Sequence, residues 1–195
     1  MRLINMTCPN CGSQLQIDLD NKQAICQYCG NALLIDDVDY KMSRLKKLRS
    51  YINEELYKME DIEERTAAIT HLNGVALAAT ILAKKRGFDP EVAAMAGVLH
   101  DLHAYKTGSY EEHEHKGSEL ARQILEELQL TNPDETEKIC SAIYHHGDKL
   151  TVDSPFDELL KDADVISHTL NDPTKPIKER EQKRYDALCE ELGLN

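Results

Sequence analysis

Two groups that resist burial, His100 and Asp101, end the run "AAMAGVLHDLHAY" (residues 93–105), whose small apolar residues read as a buried helix. A single such His is usually a packed core residue, and a single such Asp a solvated helix end. The pair gains meaning from similar groups elsewhere. His71 flanks the apolar stripe of "ITHLNGVALAATILAKKRG", His113 and His115 open "HEHKGSELARQIL", His145 and His146 close "ICSAIYHHGDK", and Asp162 and Asp164 lie in "ELLKDADVISH". Neutral imidazoles and carboxylates are the donors that divalent Mn, Fe, Zn or Mg accept, and the helices of one bundle can bring them to one point.

A second donor set opens the chain. Cys8 and Cys11, then Cys26 and Cys29, form two Cys-x-x-Cys pairs with 14 residues between them (12–25), each pair followed by a glycine, Gly12 or Gly30. Such a turn lets two thiolates face one ion, and a redox dithiol would not need a second pair at matching spacing. The intervening "QLQIDLDNKQAI" reads as a strand, an Asp-Asn turn and a second strand. Residues 1–36 are therefore read as a small β zinc ribbon holding structural Zn through all four cysteines. Cys140 and Cys189 stand alone in helical segments and read as ordinary packing or exposed thiols.

The elements that must position the His and Asp groups are helical. Residues 37–64 read as a charged linker, helical from about Val38 to Tyr57, with Leu45, Leu48, Ile52 and Leu56 on one face. Beyond it, "FDPEVAAM", "TNPDETEK" and "DSPFDELL" each offer an N-cap (Asp89, Asn132, Ser154), a proline at the first helical position and acids in the first turn. Gly87 closes the preceding helix. Apolar steps at Leu72, Val75, Ala79 and Leu82, at Leu120, Ile124 and Leu128, and at Tyr185, Leu188 and Leu192 mark further helices. The fold class is mainly α, a helical bundle over 65–195 with its core at about 65–170 and a late helix after "NDPTKP".

The totals narrow the function. Asp and Glu number 35 against 23 Lys and Arg, a formal charge of -12, which opposes general adhesion to nucleic acid or anionic membranes. No apolar run approaches the roughly 20 residues of a membrane span, and the opening residues lack a signal-peptide core. The expectation is a cytoplasmic protein without a membrane partner.

The order His71, then His100-Asp101, then an Asp in an "Ala-Asp" helix resembles the HD superfamily of metal-dependent phosphohydrolases, over roughly residues 65–170. The resemblance implies His71, His100, Asp101 and Asp164 as ligands of a first metal, Asp164 being the Asp that follows Ala. It is similar to the dinuclear subgroup, which includes bacterial diadenosine tetraphosphate hydrolases, in having a His four residues before Gly117 and a His ending an "AI-x-x-H" helix. Those positions are His113 and His146, with His115, His145 and Asp162 as second choices. The family pattern departs at Ala104 and Val165, and no "GYP" follows His146, so the resemblance names no single substrate.

The implied activity is hydrolysis of a phosphoester or phosphoanhydride bond, of a nucleotide or dinucleotide, by a metal-activated hydroxide that Asp101 holds between one or two divalent ions (Mn, Fe, Mg, Ni or Zn). The alternative is a non-catalytic regulatory or docking module built on the same scaffold. Phosphate also needs cations, for which Lys149, just past "HHGD", ranks ahead of Lys106, Lys116, Lys161 and His103. The ribbon, poor in charge of either sign, suits a homodimer contact or a protein partner better than nucleic acid.

Overall fold

The computed structural model describes residues 3–8, 10–18, 23–34 and 43–194. It divides into two compact units, Met1–Met42 and Ser43–Asn195. In the first, each Cys-x-x-Cys pair is the turn of its own hairpin. β1 (Leu3–Thr7) pairs antiparallel with β2 (Gln14–Asp18), and β3 (Gln23–Ile25) with β4 (Ala32–Leu34). The two strands read between the cysteine pairs exist, but among the described residues they do not pair with each other. The Asp-Asn turn read there lies outside the described residues. The pairing follows from the cysteine turns themselves. Cys8 N–H donates to the Ser13 carbonyl and Cys26 N–H to that of Asn31, while Gly12 and Gly30 N–H donate back to Cys8 and Cys26 at 2.8–2.9 Å. Gly12 and Gly30 sit at φ of +75° and +73°, where a side chain would be strained.

Among its described residues the second unit is helical throughout: α1 (Arg44–Leu56), α2 (Ile62–Arg86), α3 (Pro90–Leu99), α4 (Leu102–Thr107), α5 (His113–Glu127), α6 (Pro133–His145), α7 (Pro155–Asn171) and α8 (Glu179–Leu192). The caps anticipated from sequence are made. The Asp89 carboxylate accepts from Glu91 and Val92 N–H at the start of α3, and Asn132 and Ser154 form reciprocal capping boxes with Glu135 and Asp157. Gly87 ends α2 in the left-handed conformation. α1 belongs to this unit: Leu48, Ile52 and Leu56 are buried in its core, and Arg44 ties α1 to Glu91 of α3 and Glu135 of α6 at 2.8 and 2.7 Å. The read helix from Val38 begins instead at Arg44; residues 35–42 lie outside those described.

α2 corrects one expectation. At 25 residues it is long and apolar enough to cross a membrane by length and composition. Thr70, His71, Asn73 and Thr80 interrupt its apolar run, so a search for uninterrupted stretches passes over it. Its buried residues, Ala68, Leu72, Val75, Ala76, Ala79, Leu82 and Ala83, join the core shared with α3 and α7.

α3 is buried on every side from Val92 to Leu99, which fits a helix with apolar residues all round. It approaches α2 backbone to backbone: a Cβ on Gly97 would lie 2.6 Å from the Ala76 Cα and 2.7 Å from the Ala76 nitrogen. This contact sets His71 of α2 against His100, three residues past Gly97. Gly97→Ala is therefore expected to separate the helices and cost about 1–3 kcal/mol as an overpacked site. The expected result is a lower urea midpoint at unchanged slope, with reduced metal content; an unchanged midpoint would show that the contact relaxes freely.

Candidate metal centres

Asp101 sits between two pairs of imidazoles and shows one carboxylate oxygen to each. Its Oδ2 lies 3.4 Å from Nε2 of both His71 and His100, and its Oδ1 lies 3.3 Å from Nε2 of His113 and 3.2 Å from that of His146. Asp164 completes the first group, with Oδ1 3.6 and 3.8 Å from the His71 and His100 nitrogens. Five helices contribute: α2 carries His71, the end of α3 His100 and Asp101, the start of α5 His113, the end of α6 His146, and α7 Asp164.

Helix ends aim these rings. Nδ1 of His100 donates to the Gly97 carbonyl at 2.8 Å, Nδ1 of His146 to that of Ile143 at 2.7 Å, and Nδ1 of His113 to that of Tyr110 at 2.9 Å. Nδ1 is thus the donor to the chain and Nε2 the nitrogen that faces Asp101, where it donates to the carboxylate when protonated and can ligate an ion when it is not, as metal-ligating histidines require. Glu112, at φ +51°, turns the chain between α4 and α5 so that His113 opens α5 beside Asp101.

The donors fit a divalent ion. The Nε2 atoms of His71 and His100 are 3.1 Å apart, a repulsive contact for two lone pairs unless a cation or a proton lies between them. At a metal–ligand length of about 2.1 Å, neighbouring ligands lie about 3.0 Å apart in an octahedron and about 3.4 Å in a tetrahedron, close to the spacings here. Charge points the same way. Burial would raise the Asp101 carboxyl, but His100, with hydrogen bonds from His100, His113 and His146, holds it far below the usual range. Burial likewise opposes ionisation of Asp164, and Lys149, His168, His100 and His71 outweigh it. Burial lowers His146, whereas the two carboxylates lift His100 against its burial.

The second-choice residues lie elsewhere. His115 stacks on Tyr144 at 4.1 Å between ring centroids, and His145 donates from Nδ1 to the Ser141 carbonyl at 2.9 Å. Asp162 is held by Arg86 at 2.7 Å and Arg184 at 2.5 Å. Lys149 does reach the site, but its ammonium donates to Asp164 Oδ2 at 2.6 Å and to the His146 carbonyl at 2.7 Å. It positions Asp164, with one proton left for a ligand. Lys106 is paired with Glu55 at 2.5 Å, Lys116 with Glu112, and fully buried Lys161 with Asp153 and Glu158. None of these three, nor His103, lines the cleft over the donors.

The donors open into a cleft of about 690 Å³ lined by Tyr105, Tyr110, Glu114, His168, and the 171–181 segment with Lys175, Lys178, Arg180 and Glu181. These residues were not read as functional from sequence. His168 had a signal: it follows Asp164 by four, one helical turn, and its Nδ1 lies 3.9 Å from Asp164 Oδ1. Its Nε2 lies 2.9 Å from Oε2 of buried Glu181, off the line of a hydrogen bond.

In the N-terminal unit the four cysteine sulfurs converge without disulfides. Cys8 and Cys29 sulfurs are 3.8 Å apart, as are those of Cys11 and Cys26. A tetrahedron with Zn–S of about 2.3 Å has edges of about 3.8 Å. Hydrogen bonds with Ser13 draw the Cys11 thiol down to about 6, toward the thiolate a metal needs.

Residues 68–169, just over half of the chain, match the HD domain, and the chain belongs to that family. HD domains bind divalent metals and are typical of metal-dependent hydrolases. No curated protein and no solved structure matches the chain.

Two outcomes test the centres. Cys11→Ser should lower the zinc content of the purified chain; unchanged zinc would remove the ribbon site. Lys149→Met leaves Asp164 without its buried counter-charge, an expected loss of about 3–5 kcal/mol at pH 7, read by denaturant unfolding in chelator. Because the folded Asp164 carboxyl is depressed, the pair stabilises wild type above the unfolded carboxyl value of about 3.9 and loses that effect as pH falls through the lower folded value. The gap between variant and wild type should therefore close in acid.

Proposed function

We propose that this chain is a metal-dependent phosphohydrolase that cleaves a phosphoester or phosphoanhydride bond of a nucleotide or dinucleotide. One observation carries the reading: the Asp101 carboxylate, with one oxygen toward His71 and His100 and the other toward His113 and His146, is the floor of an open cleft. His71, His100, Asp101 and Asp164 would hold one divalent ion, and Asp101, His113 and His146 a second. Bound there, the ions would acidify water and bear charge on phosphoryl oxygens.

The chain's own groups do the rest. Asp101 spans both groups of ligands and fixes their separation. Lys149 keeps Asp164 turned with Oδ1 toward the histidines, because Oδ2 is occupied by the ammonium. Tyr105 and Tyr110 offer aromatic faces on the cleft wall for a base. In hydrolysis a water oxygen forms the new bond to phosphorus, the bond to the leaving oxygen breaks, and a proton passes to that oxygen. His168, which lines the cleft beside Glu181, would hand over that proton from a ring nitrogen. The four-cysteine unit would hold structural Zn and serve as a docking or dimer contact, in a cytoplasmic protein.

Asp101→Asn tests the reading. A carboxamide retains an oxygen donor but carries no charge to balance two cations, so metal content should fall and hydrolysis drop at least about a hundredfold. Wild type and variant would be compared for metal content and for Mn-dependent hydrolysis of mononucleotides, dinucleoside polyphosphates and cyclic dinucleotides. Full metal content and full hydrolysis in the variant would reduce His100-Asp101 to a helix end. A wild type that binds metal but cleaves none of the panel would favour the non-catalytic module.

A further inference from the structure

We infer that the cleft carries a second anion subsite, made by Lys175, Lys178 and Arg180 around the start of α8, which takes a distal phosphate of the substrate. The inference rests on the phosphohydrolase reading for the chemistry at the other end of the cleft. It deepens that reading to a substrate class, organic phosphates with at least two phosphate groups.

Size comes first. A cleft of about 690 Å³ lies within the roughly 300–1,000 Å³ that enclose a whole organic ligand, more than one phosphoryl group over the metal donors would fill. Charge distribution then says what the wall around Glu181 suits. In a chain of net charge -12, three cations fall within the six positions 175–180, and all three line the cleft.

These cations are also engaged differently from the basic groups that brace the helices. Arg86, Arg184, Lys106 and Lys161 are each held by a carboxylate at 2.5–2.7 Å. At the rim the pairs are longer: Lys175 to Asp172 at 3.1 Å, Lys178 to Glu181 at 3.4 Å and Arg180 to Glu181 at 3.5 Å. Lys178 and Arg180 share one carboxylate, so neither is neutralised alone, and both side chains are more than half exposed. Both ammonium and guanidinium face the cleft on long contacts, so each can donate charge-assisted hydrogen bonds to a phosphate there. Buried Glu181 has the opposite role: its Oε1 keeps the Lys178 ammonium and the Arg180 Nε together at the cleft wall, and its Oε2 faces His168.

The test uses the full chain saturated with Mn. Calorimetry would compare inorganic phosphate with methylenediphosphonate, a pyrophosphate analogue that is not hydrolysed, on wild type, the double variant Lys178→Ala/Arg180→Ala, and Lys84→Ala as an exposed control. Wild type should bind the diphosphonate at least about tenfold tighter than phosphate, and the double variant should lose at least about fivefold of that preference. Lys84→Ala should keep it. If the double variant does not fold, Lys178→Gln and Arg180→Gln singly should each lose part of the preference. An equal loss for both ions, no preference in wild type, or the same effect from Lys84→Ala would overturn the subsite. The nucleotide panel separates the two readings: preference lost in the variant while wild type cleaves nothing removes the hydrolase and leaves the subsite, whereas cleavage with an unmoved preference removes the subsite alone.

Discussion

Desolvating an ionised carboxylate costs several kcal/mol unless charge and hydrogen bonds replace the lost water. The second unit is arranged to supply both to Asp101. The residue ends a helix enclosed on every side, which no solvated carboxylate would do, and it is met by imidazoles from four helices. Removing any of these helices would leave the carboxylate partly uncompensated. The close approach of α2 and α3 at Gly97, the left-handed turn at Glu112 and the Lys149–Asp164 pair are three local solutions to that single requirement.

Around this centre a second tier of ion pairs holds the helices that form the cleft. Arg86 of α2 and Arg184 of α8 both bind Asp162 on α7, and Arg184 also donates to the carbonyl of Lys149. Asp162 and Asp164, two positions apart on one helix, thus divide the work: one braces the outer helix, the other faces the donors. The bracing fixes α8, and with it the part of the cleft wall that carries Arg180 and Glu181.

Much of this was legible in the residues. Asp89-Pro90, Asn132-Pro133 and Ser154-Pro155 are local signals, complete within four residues, and they marked three helix starts that the structure contains. The HD order of residues pointed to the family because its spacing survives without knowledge of packing. What escaped depends on long-range geometry. The pairing of β1 with β2 and of β3 with β4 is decided by the cysteine turns, not by the run between them. Lys149 could be placed near the site by sequence distance, but only three dimensions show its ammonium held by Asp164 and the His146 carbonyl. The basic rim escaped because "NDPTKP" (171–176) reads only as a loop before a last helix, and nothing in it tells which way that loop faces.

The proton that each of His100, His113 and His146 gives to a carbonyl three residues earlier has a dynamic consequence. The acceptors belong to the last turns of α3 and α6 and to the turn entering α5, the parts of helices that open most readily in local unfolding. When such a turn opens, its imidazole loses both its bearing and its tautomer, and a ligand is lost with it. An ion held by these rings would bind only the closed form, so its binding energy would be spread over three helix ends as protection against amide exchange. Metal affinity and the fraying of those ends would then be two measures of one equilibrium.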